Sequence, residues 1–187
     1  SKNRVVMAPM TRTMSPNGIP TDDVATYYEK RAKGGIGLIV TEGTVIDRPA
    51  SKMTSDIPNF FGDALPHWKK VVDKVHAAGG QIAPQIWHVG NVGMYPGWSP
   101  SPIDSPSGYI KTDEKNAEAM SEEAIADTIA KFAQSAKAAK DLGFDAIELH
   151  GAHGYLIDQF FWNGLNKRTD KWGGASIKER NAFAEAV

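Results

Sequence analysis

The residues best able to do chemistry gather in one stretch, Asp145-Ala-Ile-Glu-Leu-His-Gly-Ala-His-Gly-Tyr-Leu-Ile-Asp-Gln-Phe160. A short apolar run, Ala146, Ile147 and Leu149, gives way to His150, His153 and Tyr155. Two imidazoles can hold an oxyanion and a phenol can hand over a proton, so the pattern points to an enzyme. The run reads as a buried strand whose C-terminal end carries the polar groups, the end where parallel α/β folds bind ligands. Buried imidazoles need polar satisfaction unless something binds them. A metal is the obvious competitor. Helical zinc sites place histidines four apart with a nearby glutamate, as in H-E-x-x-H. These two are three apart on a loop, so no metal ligands are assigned, and a metal-dependent barrel hydrolase stands as an alternative reading.

The elements that must position these groups alternate. Strands are expected over 4–7, 36–41, 81–87 and 144–150. The first helix starts at Thr21, an N-cap followed by Asp22 and Asp23, and stops at Gly34. The second carries Leu65, Trp68, Val71, Val72 and Val75 at helical spacing. The third begins at Ser121, with a hydrophobic staple of Met120 and Ile125 and a buried stripe of Ile125, Ile129, Phe132 and Ala136. The last opens on the capping box Ser176 to Glu179. Strict alternation argues for an α/β fold with a parallel sheet and one structural unit over 1–187. No G-x-G-x-x-G follows the first strand, against a dinucleotide-binding Rossmann unit.

Polar and aromatic residues fall just after each strand: Thr11 and Arg12, then Glu42 and Thr44, then Gln85, Trp87 and His88, then the histidines and Tyr155. Four strands delivering chemistry to one rim is the pattern of a TIM barrel. Plainer roles compete. Trp87 alone is more often core, His88 reads as a satisfied histidine behind the site, and Arg168 with Asp170 reads as a structural pair. His67 and His76 read as surface or packing residues. The segment 89–120, rich in Pro, Ser and Gly, is expected to be a long active-site loop.

The bulk numbers exclude other classes. The chain has 187 residues, a formal net charge of −1 and no cysteine. It has no electrostatic footprint for nucleic acid or an anionic membrane, and disulfides and thiolate metal sites are excluded. With no signal peptide and no apolar run of about eighteen residues, a cytoplasmic location is the expectation.

The segments Asn3-Arg-Val-Val-Met-Ala-Pro-Met-Thr-Arg12, Gly37-Leu-Ile-Val-Thr-Glu-Gly-Thr44, Gln85-Ile-Trp-His-Val-Gly90, Glu148 to Phe160 and Asn166-Lys-Arg-Thr-Asp-Lys-Trp-Gly-Gly174 resemble, in order, the Old Yellow Enzyme family of flavin-dependent ene-reductases. The resemblance implies an eight-stranded (β/α)8 barrel carrying FMN, of which this chain covers about the first four β/α units. It also implies that NAD(P)H is the reductant and that the C=C bond of an α,β-unsaturated carbonyl or nitro compound is reduced. By the same resemblance Pro9, Met10, Thr11, Gly43, Gln85 and His150 bind the cofactor. Trp87, His150, His153 and Tyr155 meet the substrate, and Tyr155 donates the proton. A half-barrel exposes strand edges, so the missing barrel half or self-association is the expected partner. A catalytically incompetent half-barrel is the further alternative.

Overall fold

A computed structural model describes residues 1–92 and 102–187, so the middle of the loop expected over 89–120 lies outside the described residues. In chain order the elements are β1 (Val6–Met7), α1 (Asp22–Lys33), β2 (Leu38–Val45), α2 (Leu65–Ala77), β3 (Ile82–Trp87), β4 (Tyr109–Lys111), β5 (Glu114–Lys115), α3 (Glu122–Leu142), β6 (Glu148–Leu149), α4 (Leu156–Phe161), α5 (Ile177–Arg180) and α6 (Ala182–Ala186). The chain groups into two compact units. The first comprises Ser1–Asp47, Ser55–Trp87 and Gln134–Leu149, the second Arg48–Thr54, His88–Ala133 and His150–Val187. No helix among the described residues is long and apolar enough to cross a membrane.

The first unit is a parallel sheet in the order β1-β2-β3-β6. Sequential strands joined through helices must run parallel and lie side by side. Thr21 caps α1 by accepting from the Val24 N–H, with Asp22 and Asp23 in the first turn and Lys30, Arg31 and Lys33 in the last, complementing the helix dipole at both ends. The apolar stripe of α2 buries Trp68, Val71, Val72 and Val75, as their spacing requires. These pack with Val24 and Tyr28 of α1 and with Ile39 and Ile82 of the sheet in one core. Each such side chain removed from water contributes about 1.5–3 kcal/mol.

A proline shapes the centre of this sheet. Pro84 sits inside β3 and has no N–H for the ladder. Opposite it the register of β2 slips by one residue: Val40 pairs with Ala83, but the next pair is Gly43 with Gln85. Two residues, Thr41 and Glu42, therefore face one, a β-bulge of the kind that accommodates proline within a sheet. The Thr41 hydroxyl repairs the ladder. It accepts from the Gln85 N–H at 3.2 Å and donates to the Glu42 carbonyl at 2.7 Å. The second strand consequently runs on to Val45. Glu42 and Thr44 lie inside it and are buried, not beyond its end as the sequence suggests.

The fourth strand corrects another expectation. Sequence reading places a buried strand over 144–150, but only Glu148–Leu149 is strand. Ala146 is exposed, and Ile147 and Leu149 are 42% and 37% exposed. Two physical causes are visible. The Asp145 carboxylate takes the Ile82 N–H at 2.8 Å, replacing a ladder partner, and also meets His76 Nε2 at 2.9 Å. And β6 pairs only with β3, so among the described residues its other edge is uncovered. The opposite edge, β1, is likewise open, with Val6 55% exposed.

In the second unit β4 and β5 form a small antiparallel ladder within the segment expected to be loop. The helix α4, absent from the sequence reading, starts directly after Tyr155. Arg180 is buried and donates to the carbonyls of Phe161, Gly174 and Ala175. The Asn166 amide ties the carbonyls of Phe160 and Trp172 at 2.8 and 2.9 Å. Arg168 pairs with Asp170 and donates to the carbonyls of Pro106 and Met120. The motif from Asn166 to Gly174 is thus a clasp that satisfies loop carbonyls. Gly173 has no room for a side chain, because a Cβ there would collide with the Arg168 carbonyl. Along α3 Ile125, Thr128, Phe132, Ser135 and Ala139 are buried. Ile129 and Ala136, expected in the stripe, are only half-buried.

Thr41→Val should leave the buried Gln85 N–H without an acceptor and cost about 1–3 kcal/mol. A fall in the urea midpoint at unchanged slope is the expected reading, and an unaltered midpoint would show that the bulge does not need the hydroxyl.

Candidate active site

In the first unit two of the expected cofactor residues, Gly43 and Gln85, lie on strands, and Pro9, Met10 and Thr11 follow β1. Gly43 and Gln85 are register partners, and Glu148 pairs with Gln85 from the other side. Partners in adjacent parallel strands share a sheet face, so Gly43, Gln85 and Glu148 form one row. Trp87 lies two residues beyond Gln85 and points to the same face. The direction a Cβ would take at Gly43 is filled by the Trp87 indole, so any side chain at 43 displaces that ring. Both backbone groups of Gln85 are held by hydroxyls, the N–H by Thr41 and the carbonyl by Thr44 at 2.8 Å, which fixes the direction of its amide side chain. One oxygen of Glu148, Oε2, is buried with no hydrogen-bond partner among the described residues.

The lip after β1 is more open. Pro9 is half-buried, and Met10 and Thr11 are exposed. The lip is pinned by the residue that follows. Arg12 pairs with the fully buried Glu42 carboxylate and lies over the Tyr27 ring, 3.7 Å from its centroid. Sequence reading noted Arg12 and Glu42 separately but missed their partnership and missed Tyr28, whose hydroxyl donates to Glu42 Oε1 at 3.1 Å. A lone glutamate in an apolar run is the available signal, because a buried carboxylate must find a cation or hydrogen-bond donors.

In the second unit His150, His153 and Tyr155 come together. The His150 ring lies 5.1 Å from that of His153 and 4.8 Å from that of Tyr155, centroid to centroid, edge-on in both cases. Backbone geometry brings this about. His153 adopts φ 61 and Gly154 φ 76, a left-handed pair that turns the chain sharply. Tyr155 is then the N-cap of α4, and the Asp158 carboxylate accepts from the Gly154 N–H at 2.8 Å to close the turn. Burial, and then the neighbouring His153, lower the His150 pKa. That imidazole is neutral at pH 7 and can donate one N–H without carrying charge.

His88 holds this region together. Its carbonyl accepts from the Leu156 N–H at 3.1 Å, in the first turn after Tyr155. Its Nδ1 accepts from the Gly90 N–H at 3.0 Å, which leaves Nε2 to donate to Asp104 at 2.9 Å. Arg48 meets both oxygens of Asp104 and also pairs with Asp127. The sequence reading of His88 as a satisfied histidine agrees with this geometry, whereas Arg48 and Asp104 went unnoticed. Burial lowers the His88 pKa. Burial alone would raise the Asp104 carboxyl, but the hydrogen bonds from His88 and Arg48 outweigh it and hold the pKa at about 2.

These residues suit the chemistry expected of them. In the first unit a hydroxyl, Thr11, and a buried amide, Gln85, are group types that can bond the carbonyl and N–H edge of a flavin pyrimidine. Two imidazoles beside a phenol match an oxyanion and a proton donor. Among the described residues no three His, Cys, Asp or Glu side chains are grouped so as to hold a metal ion.

The family model for the NADH:flavin oxidoreductase / NADH oxidase family matches residues 1–187. Rice 12-oxophytodienoate reductase 7 is 40% identical over 198 residues, covering 97% of this chain and 49% of the relative. The NADP-dependent oxidoreductase lnbE of Aspergillus flavus is 39% identical over 191 residues, covering 100% of this chain and 50% of its own. The structure of morphinone reductase in complex with tetrahydroNAD superposes with a TM-score of 0.86 at 34% identity, covering 98% of this chain and 55% of that one. The chain spans about half the length of the curated relatives it matches.

Asp104 offers a pH test. Its folded pKa lies below its ordinary value of 3.8, so its contribution to stability is full above about pH 4 and is lost as pH falls through about 2. Urea unfolding between pH 5 and pH 2 should lose part of its pH dependence in Asp104→Asn; an identical slope in the variant would contradict the assignment.

Proposed function

Because the chain belongs to the NADH:flavin oxidoreductase family, the Old Yellow Enzyme family of the sequence resemblance, we propose that it provides the N-terminal half of an FMN-dependent ene-reductase barrel. The observation that carries this reading is the ring cluster of His150, His153 and Tyr155 at the head of α4. By the family resemblance Thr11, Gly43 and Gln85, with Pro9 and Met10 of the lip and His150, would hold FMN. When bound, FMN supplies hydride chemistry between NAD(P)H and an activated alkene.

The side chains do the rest. His150 and His153 each direct an N–H at the substrate carbonyl or nitro oxygen. They stabilise the negative charge that develops there, an effect worth far more where water is excluded. The lowered pKa of His150 suits this task, because a neutral imidazole donates without protonating the oxygen. Tyr155 gives its phenol proton to the substrate α-carbon. Trp87 shapes the substrate pocket. The left-handed turn at His153 and the Asp158 cap set the spacing between the two imidazoles and the phenol. The protein is proposed to act in the cytoplasm.

The open edges of β1 and β6 are where the remaining strands of an eight-stranded barrel are proposed to pair, or where a second copy does so. A sedimentation profile of a compact monomer at micromolar concentration would count against self-association.

The central test uses FMN-loaded protein. Tyr155→Phe should leave flavin reduction by NAD(P)H intact and slow alkene reduction by about 10²–10⁴-fold. Stopped-flow measurement of the two half-reactions separates these, and an undiminished oxidative half-reaction would remove Tyr155 from its role.

A further inference from the structure

The Arg12–Glu42 pair stands outside the chemistry just described, although each member is the chain neighbour of a residue that belongs to it. Arg12 follows Thr11, and Glu42 precedes Gly43. The Glu42 side chain is fully buried. From α1 the Tyr28 hydroxyl closes the pair on both sides, accepting from the Glu42 N–H at 2.8 Å and donating to Oε1. The Arg12 guanidinium is stacked on Tyr27 and lies 5.2 Å from the centroid of Tyr28. Glu42 Oε2 and Arg12 Nε are buried with no hydrogen-bond partner among the described residues. Burial opposes the Arg12 charge, but the adjacent Glu42 outweighs it, so the guanidinium pKa is raised. Burial, and then the Glu42 charge, push the Tyr28 phenol up, so it remains a donor.

Such a pair is a poor source of net stability, because the cost of desolvating two charges offsets their attraction. Its geometry is more informative. The lip has little else to hold it. The strand β1 is two residues long, Met10 and Thr11 are exposed, and Thr13 beyond them takes a left-handed φ of 53 with its hydroxyl on the Arg12 carbonyl. Arg12 is therefore the anchor of this segment, and its anchor point is Glu42 in the bulge of β2.

We propose that Arg12 and Glu42 are positioning residues that fix Thr11 relative to Gly43, so that the Thr11 hydroxyl meets the flavin in one orientation. The proposal rests on the flavoprotein reading for its purpose but not for its geometry. Charge, hydrogen bonds and ring stacking converge on Arg12 from β2 and α1, and the planar guanidinium serves all three at once. Lysine cannot, because it lacks the fork and the flat face.

Two measurements test this separately. Arg12 is its own reporter for trypsin, since its side chain is only 16% exposed. In the flavin-free chain Glu42→Gln, and the milder Tyr28→Phe, should speed cleavage after Arg12 at least tenfold, with cleavage after the exposed Lys167 unchanged. Equal rates at Arg12 in folded variants overturn the anchor. With FMN bound, Thr11→Ala should shift the flavin midpoint potential and visible spectrum. Glu42→Gln and Arg12→Lys should shift them too, but should add nothing in the Thr11→Ala background. Additive shifts would mean that the charges act directly and not through Thr11, and would sink the proposal. Failure of the barrel completed by its other half to bind FMN would tell against the flavoprotein reading, while the trypsin result would still decide the anchor.

Discussion

A buried parallel strand that contains a proline has one backbone donor too few, and much of the first unit follows from how that deficit is met. Pro84 cannot donate, so the neighbouring strand slips by a residue and the Thr41 hydroxyl takes over the Gln85 N–H. The slip decides which residues stand opposite one another afterwards. It places Gly43 beside Gln85, and it leaves Glu42 directed at α1, where Arg12 and Tyr28 receive it. Had the ladder been regular, every residue after Val40 would face the other way, because a one-residue slip inverts a strand.

The second unit meets a different requirement. Its described segments contain long irregular stretches whose carbonyls would lie buried without partners. Side chains supply the donors. Arg180, Arg168 and Asn166 each bind carbonyls from more than one segment. The Gln159 amide nitrogen does the same for the carbonyls of Val89, Asn91 and Gly154. Stacking of Phe160 on Phe183 at 4.1 Å adds an apolar centre. The ring cluster at His150, His153 and Tyr155 is carried on this framework, which is why so specific a run of residues as Asn166 to Gly174 can be devoted to structure rather than to chemistry.

Much of this was legible in the sequence where the signals are local. Caps, charge at helix ends and apolar spacing located α1, α2, α3 and the capping box at Ser176, all from residues within a turn or two of each other. The ring cluster was legible for the same reason, since its three members lie within six residues. The family resemblance and the half-barrel agree with the relatives and with the four-stranded parallel sheet. What failed depended on distant partners. Apolar content made residues 144–150 look buried, but content does not say whether a neighbour covers an edge. The six-residue helix α4 is too short to show a period, and a tyrosine is not a recognisable cap. Arg12 and Glu42 are 30 positions apart, and the His88–Asp104 contact joins residues 16 apart across a loop. Composition records that such charges exist, not which of them meet.

The left-handed backbone at His153 has a consequence for which side chains the position can accommodate. A β-branched or bulky residue would be forced against its own carbonyl there, whereas glycine, asparagine, aspartate and histidine tolerate the conformation. Of those four, only asparagine and histidine also carry a side-chain N–H in their neutral forms. Stereochemistry of the main chain and recognition of an electron-rich oxygen thus select from the same very short alphabet, and a replacement that satisfies one demand without the other would reshape the turn or silence the donor.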